Sequence, residues 1–362
     1  MRRLATALVL FAALAAPAVA DQPASDPARD AIIAQHAVED YIRPATARFA
    51  RDAQVLNGAV TGFCAAPGTA TETATRTAVD DAFRIAVEGW SGMQFLRFGP
   101  LVEDNRMERI AFWPDPKGIG LRQLRRVLAD RDASVTDPEQ LAGKSVALQG
   151  LTALEYLLYS DDGTSPDDFR CAYAVAAADA LAGVATAIAD GWAAPDGIAE
   201  RLMQPDSEDP LYRSPSEALS ELHRALSTGL QVTQDQKLKP VLGNDIKTAR
   251  RFRAPFRRSG LSVHVLAADA SALMAFLDLG GFTRSLPEEY RWLDASIAFE
   301  FENAVMAAEA VTLPIDEAVY DPAARGRLEY LSVVLGNLRT MTQQELAAAL
   351  GLTVGFNALD GD

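Results

Sequence analysis

Residues 74–90, ATRTAVDDAFRIAVEGW, carry their apolar side chains at the spacing of an α-helix. The apolar residues recur three or four positions apart, at Ala74, Ala78, Val79, Phe83, Ala86, Val87 and Trp90. An α-helix brings residues with this spacing onto one face, whereas a strand does so for every second residue. The stretch therefore predicts an amphipathic helix whose apolar face packs against other elements.

Similar patterns fill most of the chain, and strand patterns are almost absent. Long helices are predicted at about 28–57, 259–280, 287–312 and 316–340, a shorter one near 119–130, and a kink at Pro44. Helix starts are indicated by SPDD at 165–168, which opens an alanine-rich helix to about Trp192, by SPSE at 214–217 and by TQQE at 342–345, with Gly351 as a stop. We therefore predict an all-α protein of two packed helical bundles, residues 21–195 and 214–362.

The first 20 residues, MRRLATALVLFAALAAPAVA, have the parts of a secretory signal peptide: two arginines, a short apolar run and an A-x-A ending. The apolar run is too short to span a bilayer, and every later stretch of ~18 residues contains charge, so no membrane-spanning helix is predicted. No cysteine follows the cleavage point to carry a lipid anchor. We expect residues 21–362 to be a periplasmic protein.

The net charge argues against nucleic acid as a class of partner, and the cysteine content predicts a disulfide. The formal net charge of −15 repels phosphate backbones, so nucleic acid is not an expected partner. The chain has two cysteines, Cys64 and Cys171, and no CxxC motif. In an exported protein an even cysteine count favours a disulfide, here predicted between these two residues.

Two segments rich in proline, glycine and charge, residues 97–118 and 193–213, predict long loops, and loops of that length tend to carry function. Around the first of them lie two tryptophans and two arginines that we select as candidate pocket residues: Trp90, Arg97, Arg109 and Trp113. Arginines in such a loop either form a fork for a carboxylate ligand or tie the loop to the bundle through buried acids. Both interpretations remain open from the sequence.

Metal and hydrolase motifs are weak in this sequence. His36 and Glu39 have a spacing that suits two metal ligands, but two ligands do not make a site. The chain has neither an HExxH motif nor a G-x-S-x-G motif.

The segment GLTALE at 150–155 places Glu155 in an otherwise apolar helix, one turn after Thr152. This run resembles the G-x-H-x-x-E signature of the imelysin (M75 peptidase-like) family, which is related to the helical domain of periplasmic iron-uptake lipoproteins. The resemblance extends over the mature chain, through LRFGP at 96–100, RIAFWPDPKG at 109–118, the two cysteines and GLTVGFNALDGD at 351–362. It implies an all-α fold of two bundles with a site at their interface.

One signature residue is different in this chain. Thr152 stands where the family signature has histidine, so Glu155 is the only signature side chain retained. Threonine is a poor substitute for an imidazole ligand. We expect an arginine from residues 97–109 to pair with Glu155 and leave the site without metal.

Three functions remain as hypotheses. The first is a non-catalytic periplasmic protein that binds iron, haem or another small ligand between the bundles. The second is a metallopeptidase of the M75 type, with a divalent metal held by Glu155 and acids such as Glu88 or Asp115. The third is a structural protein of the cell envelope that binds another protein. The missing histidine favours the non-enzymatic hypotheses, and the sequence does not identify a cofactor.

Overall fold

The computed structural model describes residues 26–65, 72–159 and 167–352, and every regular element within these ranges is a helix. The predicted all-α class is therefore confirmed. In chain order the α-helices are α1 (Pro27–His36), α2 (Arg43–Cys64), α3 (Glu72–Ser91), α4 (Arg106–Ile110), α5 (Ile119–Asp130), α6 (Pro138–Ala142), α7 (Gly150–Leu158), α8 (Asp168–Ala193), α9 (Ile198–Met203), α10 (Pro215–Gln231), α11 (Lys239–Leu242), α12 (Ser262–Leu279), α13 (Trp292–Glu309), α14 (Ile315–Ala318), α15 (Pro322–Thr340) and α16 (Ala347–Ala349). The loops predicted at 97–118 and 193–213 contain the short helices α4 and α9.

The helices form two packed bundles. Helices α2, α3, α7 and α8 pack together in the first, and α10, α12, α13 and α15 in the second. Between them, Tyr41 and Phe95 pack against Phe276 with ring centroids 5.2 Å away in both cases. The first helix, α1, packs against α10 of the second bundle. The apolar core is consequently continuous through both bundles, and the predicted division at residues 195 and 214 stays a prediction.

Two π-helical turns precede prolines near helix starts. Ala37–Ile42 joins α1 to α2 ahead of Pro44, and Val232–Leu238 joins α10 to α11 ahead of Pro240. Proline has no N–H to donate, and its ring collides with the carbonyl four residues earlier. A wider π turn accommodates that lost hydrogen bond. The kink predicted at Pro44 thus takes the form of a π turn.

The predicted helix ends are confirmed at Ser214 and Gly351 and are wrong at residues 342–345. Ser214 accepts a hydrogen bond from the Glu217 N–H at 3.3 Å, as its capping motif predicts. Gly351 follows α16 with a φ of +68°, as expected for a stop. The cap predicted at TQQE is wrong, because the helix continues through it and the Thr342 hydroxyl donates to the Leu338 carbonyl at 2.8 Å. Asp167 caps α8, whereas Ser165 and Pro166 lie outside the described residues.

The predicted disulfide is confirmed. Cys64 ends α2 and Cys171 lies in the first turn of α8, with their Cα atoms 5.4 Å apart. The bridge closes 107 residues of chain, for which loop entropy gives roughly 4–5 kcal/mol of stabilisation.

Helices α8 and α12 are long and apolar enough to cross a membrane by composition alone. Both are central helices of their bundles, however, with 56% of each apolar window buried inside the protein. Core helices pass the same test, so these two carry little weight as evidence for membrane spanning. The predicted signal peptide, residues 1–20, lies outside the described residues.

Candidate functional site

Helix α7, which carries the GLTALE segment, is fixed closely against the preceding loop. Gly150 begins the helix with a φ of +67°, and a Cβ atom there would lie 2.2 Å from the carbonyl oxygens of Arg109 and Ile110. Only glycine fits this approach. The buried Tyr173 hydroxyl donates to the Leu148 carbonyl at 2.6 Å and ties the start of α7 to α8. The glycine of the signature thus has a packing role.

Glu155 is buried between the bundles, with 5% of its surface exposed. Its Oε1 atom accepts hydrogen bonds from the backbone N–H and the hydroxyl of Ser259, both at 2.9 Å. The backbone N–H and the positive charge of Arg258 also favour the ionised carboxylate. The Arg258 guanidinium lies 5.0 Å from the ring centre of Tyr156, the next residue of α7. We name this contact between Glu155 and residues 258–259 the clasp.

The protonation of Glu155 depends on opposing effects. Burial raises the pKa of Glu155, because an ionised carboxylate loses hydration there. The hydrogen bonds from Ser259 and the charge of Arg258 act in the opposite direction but do not cancel the rise. Glu155 therefore takes up a proton in the folded protein at a higher pH than an ordinary glutamate.

The expected partner of Glu155 was wrong. No arginine of residues 97–109 supplies the contact; it comes from residues 258–259, more than a hundred positions along the chain. Arg109 does lie near α7, but its Nε donates to the Gln149 side chain at 3.1 Å. The reason is geometric: this loop reaches the N-terminal end of α7, whereas Glu155 lies more than a turn further on and faces the second bundle.

The donors around Glu155 do not fit a metal ion. A guanidinium and N–H and O–H donors surround the carboxylate, and these groups compensate an anion and repel a cation. Among the described residues, no group of three or more His, Cys, Asp or Glu side chains is arranged to hold a metal. His36 and Glu39 bond separately to Asp40 and Arg43. The metal-ligand hypothesis therefore has no supporting donor set here.

The sequence interpretation overlooked residues 250–258, RRFRAPFRR, with five arginines in nine residues of an otherwise acidic chain. We call this run the arginine segment. It leads directly into the clasp, and Arg250 and Arg253 expose their side chains. Phe252 is 71% exposed, with the guanidinium groups of Arg251 and Arg257 4.8 and 5.0 Å from its ring centre. The density of positive charge was the signal that could have identified it.

The arginine segment is held in a strained conformation. Phe256 has a φ of +52°, which is unfavourable for a residue with a Cβ, and its ring packs on Phe83 of α3 at 6.1 Å. The indole N–H of Trp113 donates to the Arg253 carbonyl at 3.2 Å. Trp113 therefore joins the predicted loop to the arginine segment, and these contacts fix the segment against the first bundle.

A second polar cluster lies between the bundles. The Lys237 ammonium is 2.6 Å from the Asp269 carboxylate, with 3% and 4% of the two side chains exposed. The Gln94 side chain donates to the other oxygen of Asp269 at 2.8 Å. Burial lowers the pKa of Lys237, and the charge of Asp269 opposes that change. The adjoining cavity of about 10 Å³ holds no more than a water-sized molecule, so this cluster is a structural tie.

The remaining candidate residues are dispersed. Trp90 is a core residue, 5% exposed, whose ring packs near Phe49 at 6.2 Å. Arg97 lies near Lys237 and Glu108, and burial lowers its pKa. Thr152 is half-buried on α7. Of the predicted set, the structure brings Glu155 and Trp113 to the arginine segment and Arg109 to the start of α7.

The fold and the clasp define a two-bundle helical protein with an anion-compensating contact between its bundles. The family model of imelysin, Peptidase_M75, matches residues 37–340, and the chain belongs to this family. No curated protein matches the sequence.

Two solved structures share the fold. An imelysin-like protein from Psychrobacter arcticum 273-4 has a TM-score of 0.74 at 21% identity, covering 92% of this chain and 100% of its own. A structure from Parabacteroides distasonis ATCC 8503, described as an iron-regulated protein A precursor, has a TM-score of 0.70 at 14% identity, covering 91% and 97%.

Proposed function

We propose that this imelysin-family protein is a non-catalytic binding protein of the periplasm, linked to iron or haem uptake. Its ligand would be an iron compound that carries carboxylates, such as haem or a ferric carboxylate chelate, and not a bare metal ion. The observation that carries the proposal is the exposed part of the arginine segment beside the clasp. Arg250, Phe252 and Arg253 offer two guanidinium groups and an aromatic ring to solvent.

The chemistry of these side chains suits such a ligand. Guanidinium groups form paired, charge-assisted hydrogen bonds with carboxylates, and an exposed phenyl ring gives a planar apolar ligand a surface to pack on. In the clasp, the positive charge of Arg258 compensates the negative charge of Glu155, which reduces the repulsion between Glu155 and an anionic ligand nearby. Because the rest of the chain is acidic, the arginine segment would also direct anions to this position.

Two observations support a role outside the cytoplasm. A disulfide joins Cys64 to Cys171, and such bonds persist in oxidising compartments. Residues 1–20 have the sequence of a secretory signal. The Parabacteroides protein of the same fold is described as iron-regulated and as a precursor, which makes iron uptake the first process to test.

The binding test compares two pairs of arginine substitutions. The mature protein is titrated with haemin, followed by the Soret band, and with ferric citrate, followed by calorimetry. The Arg250→Gln/Arg253→Gln variant should weaken binding of at least one of them about tenfold or more, the equivalent of losing one charge-assisted contact. The matched control is Arg126→Gln/Arg291→Gln, because both side chains are strongly exposed, at 84% and 70%, and lie outside the arginine segment, in α5 and immediately before α13.

Three results would contradict the proposal. One is no binding of either compound, and another is equal loss of affinity in the control pair. The third is metal-dependent cleavage of a peptide substrate that disappears in Glu155→Gln, which would favour the metallopeptidase hypothesis.

A further inference from the structure

The outer face of α13 carries a stripe of large apolar side chains that residues 26–65, 72–159 and 167–352 leave exposed. Trp292, Phe299 and Met306 follow one another at seven-residue intervals and are 51%, 61% and 57% exposed. Seven residues make almost two helical turns, so the three side chains align along one side of the helix. The opposite side of α13 is already buried in the second bundle through Leu293, Ile297 and Phe301.

The neighbouring helix extends this apolar surface. Hydrogen bonds from Asn337 to the Glu300 side chain and from Arg327 to the Ala310 carbonyl show that α15 runs antiparallel to α13. Helix α15 exposes Tyr330 and Val333, at 50% and 60%. At the junction lies an open groove of about 350 Å³, lined by Ala295, Ser296, Phe299, Glu300 and Met341. Several large exposed apolar side chains beside a groove are characteristic of a binding face.

The charged side chains within α13 are all acidic, and the arginines nearest to it, Arg291 and Arg327, lie at its two ends. Between Trp292 and Glu309 the sequence contains four acidic residues and no lysine or arginine. Glu302 and Glu309 are exposed and follow Phe299 and Met306 by three positions, so they flank the stripe on its solvent side. A partner that covers the stripe would place its own flanking residues against these carboxylates.

We propose that the outer face of α13 docks a basic amphipathic helix of another protein. Apolar residues at heptad spacing match a second helix with the same repeat, and the flanking glutamates select lysine or arginine beside the apolar residues of that helix. A second copy of this chain fits less well, because pairing two α13 helices would bring their glutamates together. The surface is separate from the arginine segment and does not depend on the function proposed there.

The probe for this surface is a synthetic helical peptide of about three heptads, ~21 residues, with leucines in its apolar stripe and lysines flanking it. Its matched control has the same leucines and glutamates in place of the lysines. Binding of each fluorescently labelled peptide to the full protein is measured by anisotropy at several salt concentrations. The basic peptide should bind and lose affinity as salt rises, whereas the acidic peptide should not bind.

Surface variants locate the binding face. Phe299→Ser/Met306→Ser should weaken binding about tenfold or more through lost apolar contact, and Glu300→Gln/Glu302→Gln/Glu309→Gln should weaken it and reduce its salt dependence. A control that removes three exposed acids elsewhere, Glu139→Gln/Asp196→Asn/Glu208→Gln, should leave binding unchanged. Unchanged urea midpoints would show that the variants fold.

Several outcomes would overturn the proposal: no binding of the basic peptide, equal binding of the acidic peptide, or equal effects of the α13 variants and the control. Concentration-dependent dimers that Phe299→Ser/Met306→Ser abolishes would assign the face to a second copy instead.

Discussion

The clasp between Glu155 and Ser259 makes a quantitative prediction about stability. The Ser259 hydroxyl lies 2.9 Å from a carboxylate that is 5% exposed, and a hydrogen bond to a charged group contributes about 1.5–3 kcal/mol. Ser259→Ala keeps the backbone N–H and removes only the hydroxyl. The variant should therefore lose about 1.5–3 kcal/mol of unfolding free energy at pH 7.5.

A double-mutant cycle isolates this contact from other effects of the substitutions. In Glu155→Gln the acceptor is neutral, and a neutral hydrogen bond contributes only about 0.5–1.5 kcal/mol. Ser259→Ala should consequently cost less in the Glu155→Gln background, with a coupling of about 1–2 kcal/mol. Urea unfolding followed by circular dichroism and by tryptophan fluorescence gives the free energies, and agreement between the two signals tests for a two-state transition.

The pH dependence of the cycle supplies a second measurement. Because burial raises the pKa of Glu155, the folded state binds this proton more readily than the unfolded state. The cost of the buried charge is fully present above the folded pKa and is relieved as pH falls toward the ordinary value of 4.5. The stability of the wild type relative to Glu155→Gln should therefore rise as the pH falls through the raised pKa of Glu155.

A loss below about 0.5 kcal/mol for Ser259→Ala, together with zero coupling, would show that the hydroxyl does not hold the carboxylate. A divalent metal that raises the stability of the wild type but not of Glu155→Gln would refute the cation-free description of the site.

Three further predictions about the disulfide, the buried ion pair and the start of α7 are tested by urea unfolding. Cys64→Ser with Cys171→Ser should lower the unfolding free energy by roughly 4–5 kcal/mol, and a loss under 1 kcal/mol would show that the bridge constrains little. Asp269→Asn should cost about 3–5 kcal/mol because it leaves Lys237 buried without its counter-ion, whereas Lys237→Met/Asp269→Leu should cost much less; equal losses would refute the pairing argument. Gly150→Ala should prevent normal folding of α7, since its Cβ would meet carbonyl oxygens at 2.2 Å, and a wild-type midpoint would contradict that geometry.

The sequence by itself determined the helices and the covalent link. The three- and four-residue spacing in residues 74–90 is a local property, because a helix forms its hydrogen bonds within itself and needs only one apolar face to pack. The ends of α5 and α8 were also predicted from local sequence, the start of α8 from its capping motif. The disulfide followed from the presence of only two cysteines in a chain whose first 20 residues have the pattern of a secretory signal.

The sequence also indicated part of the site. Glu155 stood out as a carboxylate among apolar residues. The resemblance of GLTALE to the family signature identified Glu155 as a candidate site residue. The arginine segment was equally visible as a run of positive charge in an acidic chain. Its contact with Glu155, however, depends on the tertiary structure.

Only the tertiary structure determined which polar side chains contact each other. Glu155 contacts Ser259 across 104 positions, and Lys237 contacts Asp269 across 32. Such pairs depend on the rotation of each helix about its axis and on the relative position of neighbouring helices, which apolar packing of the whole core fixes. The periodicity of apolar residues indicates which face of a helix is buried, but it does not indicate which residues that face contacts. For this reason the sequence predicted a compensated Glu155 correctly and assigned the compensation to the wrong loop.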